Sequence, residues 1–122
     1  MINLTIAIIG SRSLDIPIPD GLIPDGTAKI ISGGAKGMDF RAREYALSHR
    51  ILIEEIVPAY DLYGRRAPLV RNDIIVSRSD TVYIFWDGKS SGTAYVIKEC
   101  RKQNKPYRIF IPEKNTFKEI TL

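Results

Sequence analysis

Four stretches of this chain read as strand ends opening into glycine- or arginine-bearing turns: Ile9-Gly10-Ser11-Arg12, Ser32 to Gly37, Val70-Arg71-Asn72-Asp73, and Trp86 to Thr93. The runs feeding them are short, apolar and β-branched. Leu4 to Ile9 is apolar without alternation apart from Thr5 and stops at Gly10, the pattern of a parallel strand buried on both faces. Such a strand folds only where other elements cover both sides of its sheet. Further strands are expected at Ala28 to Ser32, at Ile51 to Val57 (stopped by Pro58), at Thr81 to Trp86 and at Tyr107 to Ile111.

Helical spacing fills the gaps. Met38, Ala42, Tyr45, Ala46 and His49 form one stripe of a helix from about Gly37 to His49, with Asp39, Arg43 and Glu44 outside it. Pro68 suits the first turn of a second helix reaching about Ser79. Thr93, Val96, Ile97 and Cys100 share a face of a third, from Ser91 to Gln103, which Asn104-Lys105-Pro106 ends. Ser13 to Thr27 is expected to be irregular, because Pro17, Pro19 and Pro24 remove donors and clash with a preceding helical turn. Alternating strands and helices predict an α/β fold, a Rossmann-like three-layer domain over residues 1–122 with a mainly parallel five-stranded sheet. Right-handed crossovers put every strand's C-terminal end on one edge, where open α/β sheets bind ligands.

Composition narrows the class. The chain has 122 residues, 44% hydrophobic and 26% charged, as in globular proteins. No apolar run approaches the ~20 residues of a membrane span, and the Met1 to Ile9 stretch lacks a basic flank and a small-residue cleavage site. A single cysteine, Cys100, forms no internal disulfide and fits a cytoplasmic location. Its place on an apolar helix face makes it core rather than nucleophile. The net charge of +4 suits an anionic ligand without specifying nucleic acid. No histidine or cysteine cluster points to a metal, and no cofactor is expected; His49, the only histidine, reads as a helix-end residue.

The turns carry the chemistry. Gly33, Gly34 and Gly37 would let the backbone approach an anion at a helix N-terminus, with Lys36 in reach and Asp39 in the first turn. The competing reading is a turn shaped for helix packing. The spacing is neither G-x-G-x-x-G nor G-x-x-x-x-G-K-[ST], so neither phosphate-loop assignment follows. Gly88, Ser90, Ser91, Gly92 and Thr93 form a second such loop, in which Ser90 or Ser91 caps the helix. Asp87 is positioned to accept from ribose hydroxyls or to close its own turn. Arg71, beside Asn72, offers a bidentate clamp for phosphate or carboxylate. Arg12, with Gly10 and Ser11 at the mouth of a buried strand, belongs to the site or pairs with Asp39 or Asp73. Trp86 ends the strand feeding the second loop.

Together these residues resemble the SLOG superfamily of Rossmann-like proteins, which includes the DprA/Smf DNA-processing proteins, the LOG-type phosphoribohydrolases and the small YpsA- and YspA-like proteins. The resemblance runs from Ile9 to Ile111. Gly10-Ser11-Arg12 is similar to the family's opening GSR, and Ser32 to Asp39 to its S/H-G-G-A-x-G-x-D. Tyr63-Gly64 and Arg71-Asn72 resemble the YG and RN elements of the YspA group and DprA. Ser90-Ser91-Gly92-Thr93-Ala94 resembles both the SGT-A of DprA and the G-G-x-G-T of LOG enzymes. LOG enzymes follow that glycine-threonine pair with a catalytic glutamate on the next turn. Here Ala94, Tyr95 and Val96 follow Thr93, and the first acid is Glu99.

The expected function is therefore binding of a nucleotide or nucleotide-derived phosphosugar at the C-terminal edge of the sheet, as in a sensor, without catalysis. The second expectation is a nucleotide or phosphosugar hydrolase using Asp39, Asp73 or Asp87. The third is a DprA-like single-stranded DNA binder with Arg65, Arg66, Tyr60, Tyr63 and Trp86 along a groove. The resemblance also implies a homo-oligomer, commonly a dimer.

Overall fold

The computed structural model describes residues 3–122; Met1 and Ile2, the start of the apolar N-terminal run and of the expected 1–122 domain, lie outside the described residues. Six strands form one sheet: β1 (Leu4–Gly10), β2 (Thr27–Ser32), β3 (Leu52–Glu55), β4 (Thr81–Phe85), β5 (Tyr107–Glu113) and β6 (Thr116–Ile120). Their order is β3-β2-β1-β4-β5-β6. The first five are parallel, and β6 returns antiparallel on β5. The expectation of five strands is corrected by β6. Lys114 and Asn115 both take positive φ (49° and 64°), making the two-residue hairpin turn whose twist matches the flanking strands.

The helices are α1 (Met38–Ser48), α2 (Tyr60–Tyr63), α3 (Ala67–Arg78) and α4 (Ser91–Lys102), with a 3-10 turn at Gly64–Arg66 joining α2 to α3. Alternate residues of the central strands feed two cores. Ile6, Ile8, Ile30, Tyr83, Phe85 and Phe110 face α1, through Met38, Ala42, Tyr45 and Ala46. Ala7, Ile9, Ile31, Val82, Ile84 and Ile109 face α3 and α4, through Ile75, Val76, Val96, Ile97 and Cys100. The proline-bearing segment after β1 forms no helix, as its prolines dictate. It lays Leu14, Ile18 and Ile23 onto the first core beside α1, doing the covering a helix would otherwise do. Arg41 holds it through Asp15, and His49 through Asp20.

This gives a Rossmann-like three-layer arrangement. Sequence neighbours run leftward from β1 to β3 and rightward from β4 to β6. The direction of winding therefore reverses between β1 and β4, and the crevice beyond their C-terminal ends is where such sheets hold ligands. Among the described residues no helix is long and apolar enough to cross a membrane.

Candidate functional site

At that reversal a cleft of about 310 Å³ opens. Gly10, at the end of β1, forms part of its floor, with Gly33 and Asp39 from the β2–α1 connection on one side. Arg71 and Asn72 of α3, and Ser90, Gly92 and Thr93 at the start of α4, form the other side. Arg12 and Tyr60 stand at the mouth; both are exposed.

Arg71 is half-buried and strapped to backbone. Its Nη1 donates to Gly33 O at 2.8 Å and Ile56 O at 3.3 Å, and its Nε donates to Asn72 Oδ1 at 2.8 Å. Those bonds fix the guanidinium at the ends of β2 and β3. Nη2 has no protein acceptor among the described residues. Burial lowers the Arg71 pKa from its ordinary value, Asp39 and Tyr60 oppose that, and Arg12 adds to it, so the two guanidiniums feel one another. Both stay charged at neutral pH.

Asp39 is only 6% exposed, which corrects its expected place outside the buried stripe of α1. In the first helical turn its Oδ2 reaches back to accept the Ala35 N–H at 3.1 Å. Burial raises its carboxyl above the usual range, while the Ala35 N–H and then Arg71 pull the other way. The buried Ser32 hydroxyl beside it also pulls the Asp39 pKa down, although it makes no hydrogen bond of good geometry. Asp39 and Arg71 make no ion pair within 4 Å, and both stand against the bare face of Gly33. A Cβ on Gly33 would sit 2.5 Å from Arg71 Nη1 and 2.7 Å from Asp39 Oδ2.

The glycines divide by cause. A Cβ at Gly10 would meet Met38 Cβ at 2.4 Å, and one at Gly37, where φ is 77°, would meet Arg12 O at 2.6 Å. Those two glycines and Gly33 are required by the close docking of the α1 N-terminus on the strand ends. Gly92 differs: a Cβ there would meet nothing within 4 Å, so packing does not demand a glycine. Gly92 is the second residue of α4. Ser90 caps the helix by taking the Thr93 N–H at 3.4 Å, and Ser90 O takes the Ala94 N–H. The N–H groups of Ser91 and Gly92 are left without a protein acceptor among the described residues, at the positive end of the helix dipole.

Several expected site residues are braces beside the cleft. Ser11 is buried, accepts the Asp87 N–H at 3.1 Å and lies 3.4 Å from the Thr93 hydroxyl, knitting β1 and β4 to α4. Asp87 accepts from the Ser13 hydroxyl and from the N–H groups of Lys89 and Ser90, which closes the Gly88 turn (φ 84°). Those bonds, Ser13's first, lower its pKa to about 2. Its carboxylate is thereby committed to the turn rather than free for ribose. Trp86 Nε1 donates to Ser90 O, and its ring packs on the α3–α4 core. Ser91 is exposed on the first helical position. None of Ser11, Trp86, Asp87, Gly88 and Ser91 lines the cleft.

Lys36, Gly34 and Gly37 line a second, adjoining hollow with Phe40, Asp15 and Arg43, which shares Arg12 and Ala35 with the first. Of the acids weighed as catalysts, only Asp39 borders the cleft. Asp73 accepts from the Tyr95 hydroxyl on the α3–α4 seam, and Glu99 is buried against Gln103. The expected ion pair of Arg12 with Asp39 or Asp73 does not form; among the described residues Arg12 has no carboxylate within 4 Å. Sequence reasoning did not assign Pro68, Leu69 or Ala35 to the site, although Pro68 and Leu69 directly precede Arg71 on the same helical turn.

No protein-family model matches the chain, and no curated protein matches it. Among solved structures it is similar to DNA processing protein A from Helicobacter pylori, a protein described for a single-stranded DNA binding mode. The two share 24% identity with a TM-score of 0.67, over 93% of this chain and 67% of that one. The likeness shows a shared fold.

Proposed function

We propose that the cleft binds the phosphate of a nucleotide or nucleotide-derived ligand. The observation that carries this reading is the convergence of donors without protein acceptors. Arg12, Arg71 with its unengaged Nη2, and Gly92 with its free N–H border one opening, where the glycine backbone is uncovered. An anion there gains charge-assisted bonds at a helix N-terminus. Tyr60, Pro68 and Leu69 add to the lining an apolar surface suited to a base. A volume of about 310 Å³ is at the small end of the ~300–1,000 Å³ usual for ligand sites and fits a mononucleotide. The arrangement needs no catalytic acid, and Asp39, the sole carboxylate on the lining, is already engaged by the Ala35 N–H.

Calorimetry with nucleoside 5′-monophosphates and the matching nucleosides tests this reading. Monophosphates should bind and nucleosides should bind at least tenfold more weakly. Equal affinity for both would remove the phosphate from the account.

A second reading, a single-stranded DNA interface, is favoured by one feature. Residues Ala59 to Arg66 are all exposed, and this run carries Tyr63, Arg65 and Arg66 and reaches the cleft at Tyr60. The similar fold of the Helicobacter pylori protein points the same way.

A further inference from the structure

The hollow next to the cleft is as large as a ligand site in its own right, about 460 Å³, and joins the cleft across Arg12 and Ala35. Its charges are unevenly committed. Arg43 is held bidentately by Glu55, and Asp15 by Arg41. Lys36 and Arg12 have no carboxylate within 4 Å among the described residues. The hollow thus keeps two uncommitted cations. It also keeps one aromatic ring: Phe40, on the second turn-facing position of α1, is 49% exposed, although the same helix buries Met38, Ala42 and Tyr45. Across Arg12, the cleft has a matching ring in Tyr60, 57% exposed. The order through the two spaces is therefore ring, cation, ring, the alternation that holds stacked bases along a phosphate backbone.

Resting on the nucleotide reading of the cleft, we infer that cleft and hollow are two lobes of one site for a ligand of two nucleotide units, with Tyr60 and Phe40 stacking one base each and Arg12 holding the phosphate between them. Lys36 meets the outer phosphate of the second lobe. The chemistry recognised is a pair of bases bridged by phosphate, which a free dinucleotide and a segment within a longer strand both present.

The test is calorimetry with three probes: dAMP, the 5′-phosphorylated dinucleotide of deoxyadenosine, and an octamer of deoxyadenosine. The dinucleotide should bind about tenfold or more tightly than dAMP, the gain of one stacked base and one phosphate contact. Phe40→Leu keeps an apolar side chain and removes the ring, so it should return the ratio toward one. Leu47→Ala, an exposed change on the same helix that borders neither lobe, should leave the ratio intact. An octamer that binds as tightly as the dinucleotide supports the inference with a strand segment as occupant. An octamer that is excluded supports it with a free dinucleotide. If dAMP binds but the dinucleotide binds no better, the second lobe is refuted and the cleft reading stands. If the ratio survives Phe40→Leu, the assignment of Phe40 is overturned. If no probe binds, the cleft reading falls and this inference falls with it.

Discussion

Replacing Gly92 with alanine should separate stability from binding. Gly92 sits at the second position of α4, with ordinary φ and nothing within 4 Å of where a Cβ would go. Alanine loses less backbone entropy than glycine on entering a helix, a difference of about 1 kcal/mol in helix interiors and roughly half that so near an end. The variant should therefore be more stable by about 0.5 kcal/mol, a rise in Tm of roughly 2 °C for a domain of this size. The added methyl stands where the free Gly92 N–H meets the cleft. It should cost the ligand a charge-assisted hydrogen bond of about 1.5–3 kcal/mol, or ten- to a hundredfold in Kd. Gly92→Val should weaken binding further without the gain in stability. Thermal denaturation and calorimetry with adenosine 5′-monophosphate read the two effects independently. A Gly92→Ala protein that binds as the wild type does would refute the backbone approach at α4. One that unfolds earlier would refute the open space.

Other outcomes follow from the braces around the site. Asp87→Ala should cost about 1–2 kcal/mol by freeing the Lys89 and Ser90 N–H groups. Because hydrogen bonds lower the Asp87 pKa to about 2, its contribution is full above the ordinary value of 3.8 and fades toward pH 2, so the Tm gap to wild type should narrow in acid. Asp39 carries the opposite sign. Burial raises its pKa, so the penalty of holding it charged is absent below 3.8 and grows as pH climbs through the raised value. Asp39→Asn should therefore gain on wild type in Tm between pH 3 and 7; a flat difference would mean that Ala35 and Arg71 offset burial, and a falling one that they outweigh it. Gly10→Ala, which drives a methyl to 2.4 Å from Met38 Cβ, should destabilise by about 1–3 kcal/mol in chemical denaturation. The Cys100 thiol, pushed up to about 11 chiefly by burial, should react with iodoacetamide far more slowly in the folded than in the unfolded protein.

What was legible in the sequence follows from what is local. The five parallel strands and three long helices announce themselves through apolar runs and stripes, because each buries its own face against the sheet. β6 was not read, since its alternating exposed and half-buried residues bury too little to mark it; only the Lys114-Asn115 turn before it carried a signal. α2 was missed because it buries nothing and so has no stripe. The glycine-rich turns were legible as positions needing no side chain, but not why. At Gly10 the reason is Met38, from a helix 28 positions on, and at Gly37 it is the chain at Arg12. Gly92 looks the same in sequence and has no such neighbour. Asp87 could be read as either ligand acceptor or turn closer, and three hydrogen bonds place it in the turn. The separation of cleft from hollow was hidden altogether, because Lys36 and Gly33 are three residues apart in sequence yet line different spaces on either side of Ala35.

The central claim is that unsatisfied backbone donors at the start of α4, aided by Arg12 and Arg71, hold a nucleotide phosphate. Titrating isotopically labelled protein with adenosine 5′-monophosphate and following amide and arginine side-chain resonances tests it most directly. The account predicts saturable shifts largest at the Gly92 amide and at the Arg12 and Arg71 guanidiniums, with adenosine alone failing to move that amide. Shifts absent from these three groups, or confined to a surface away from the cleft, would contradict it.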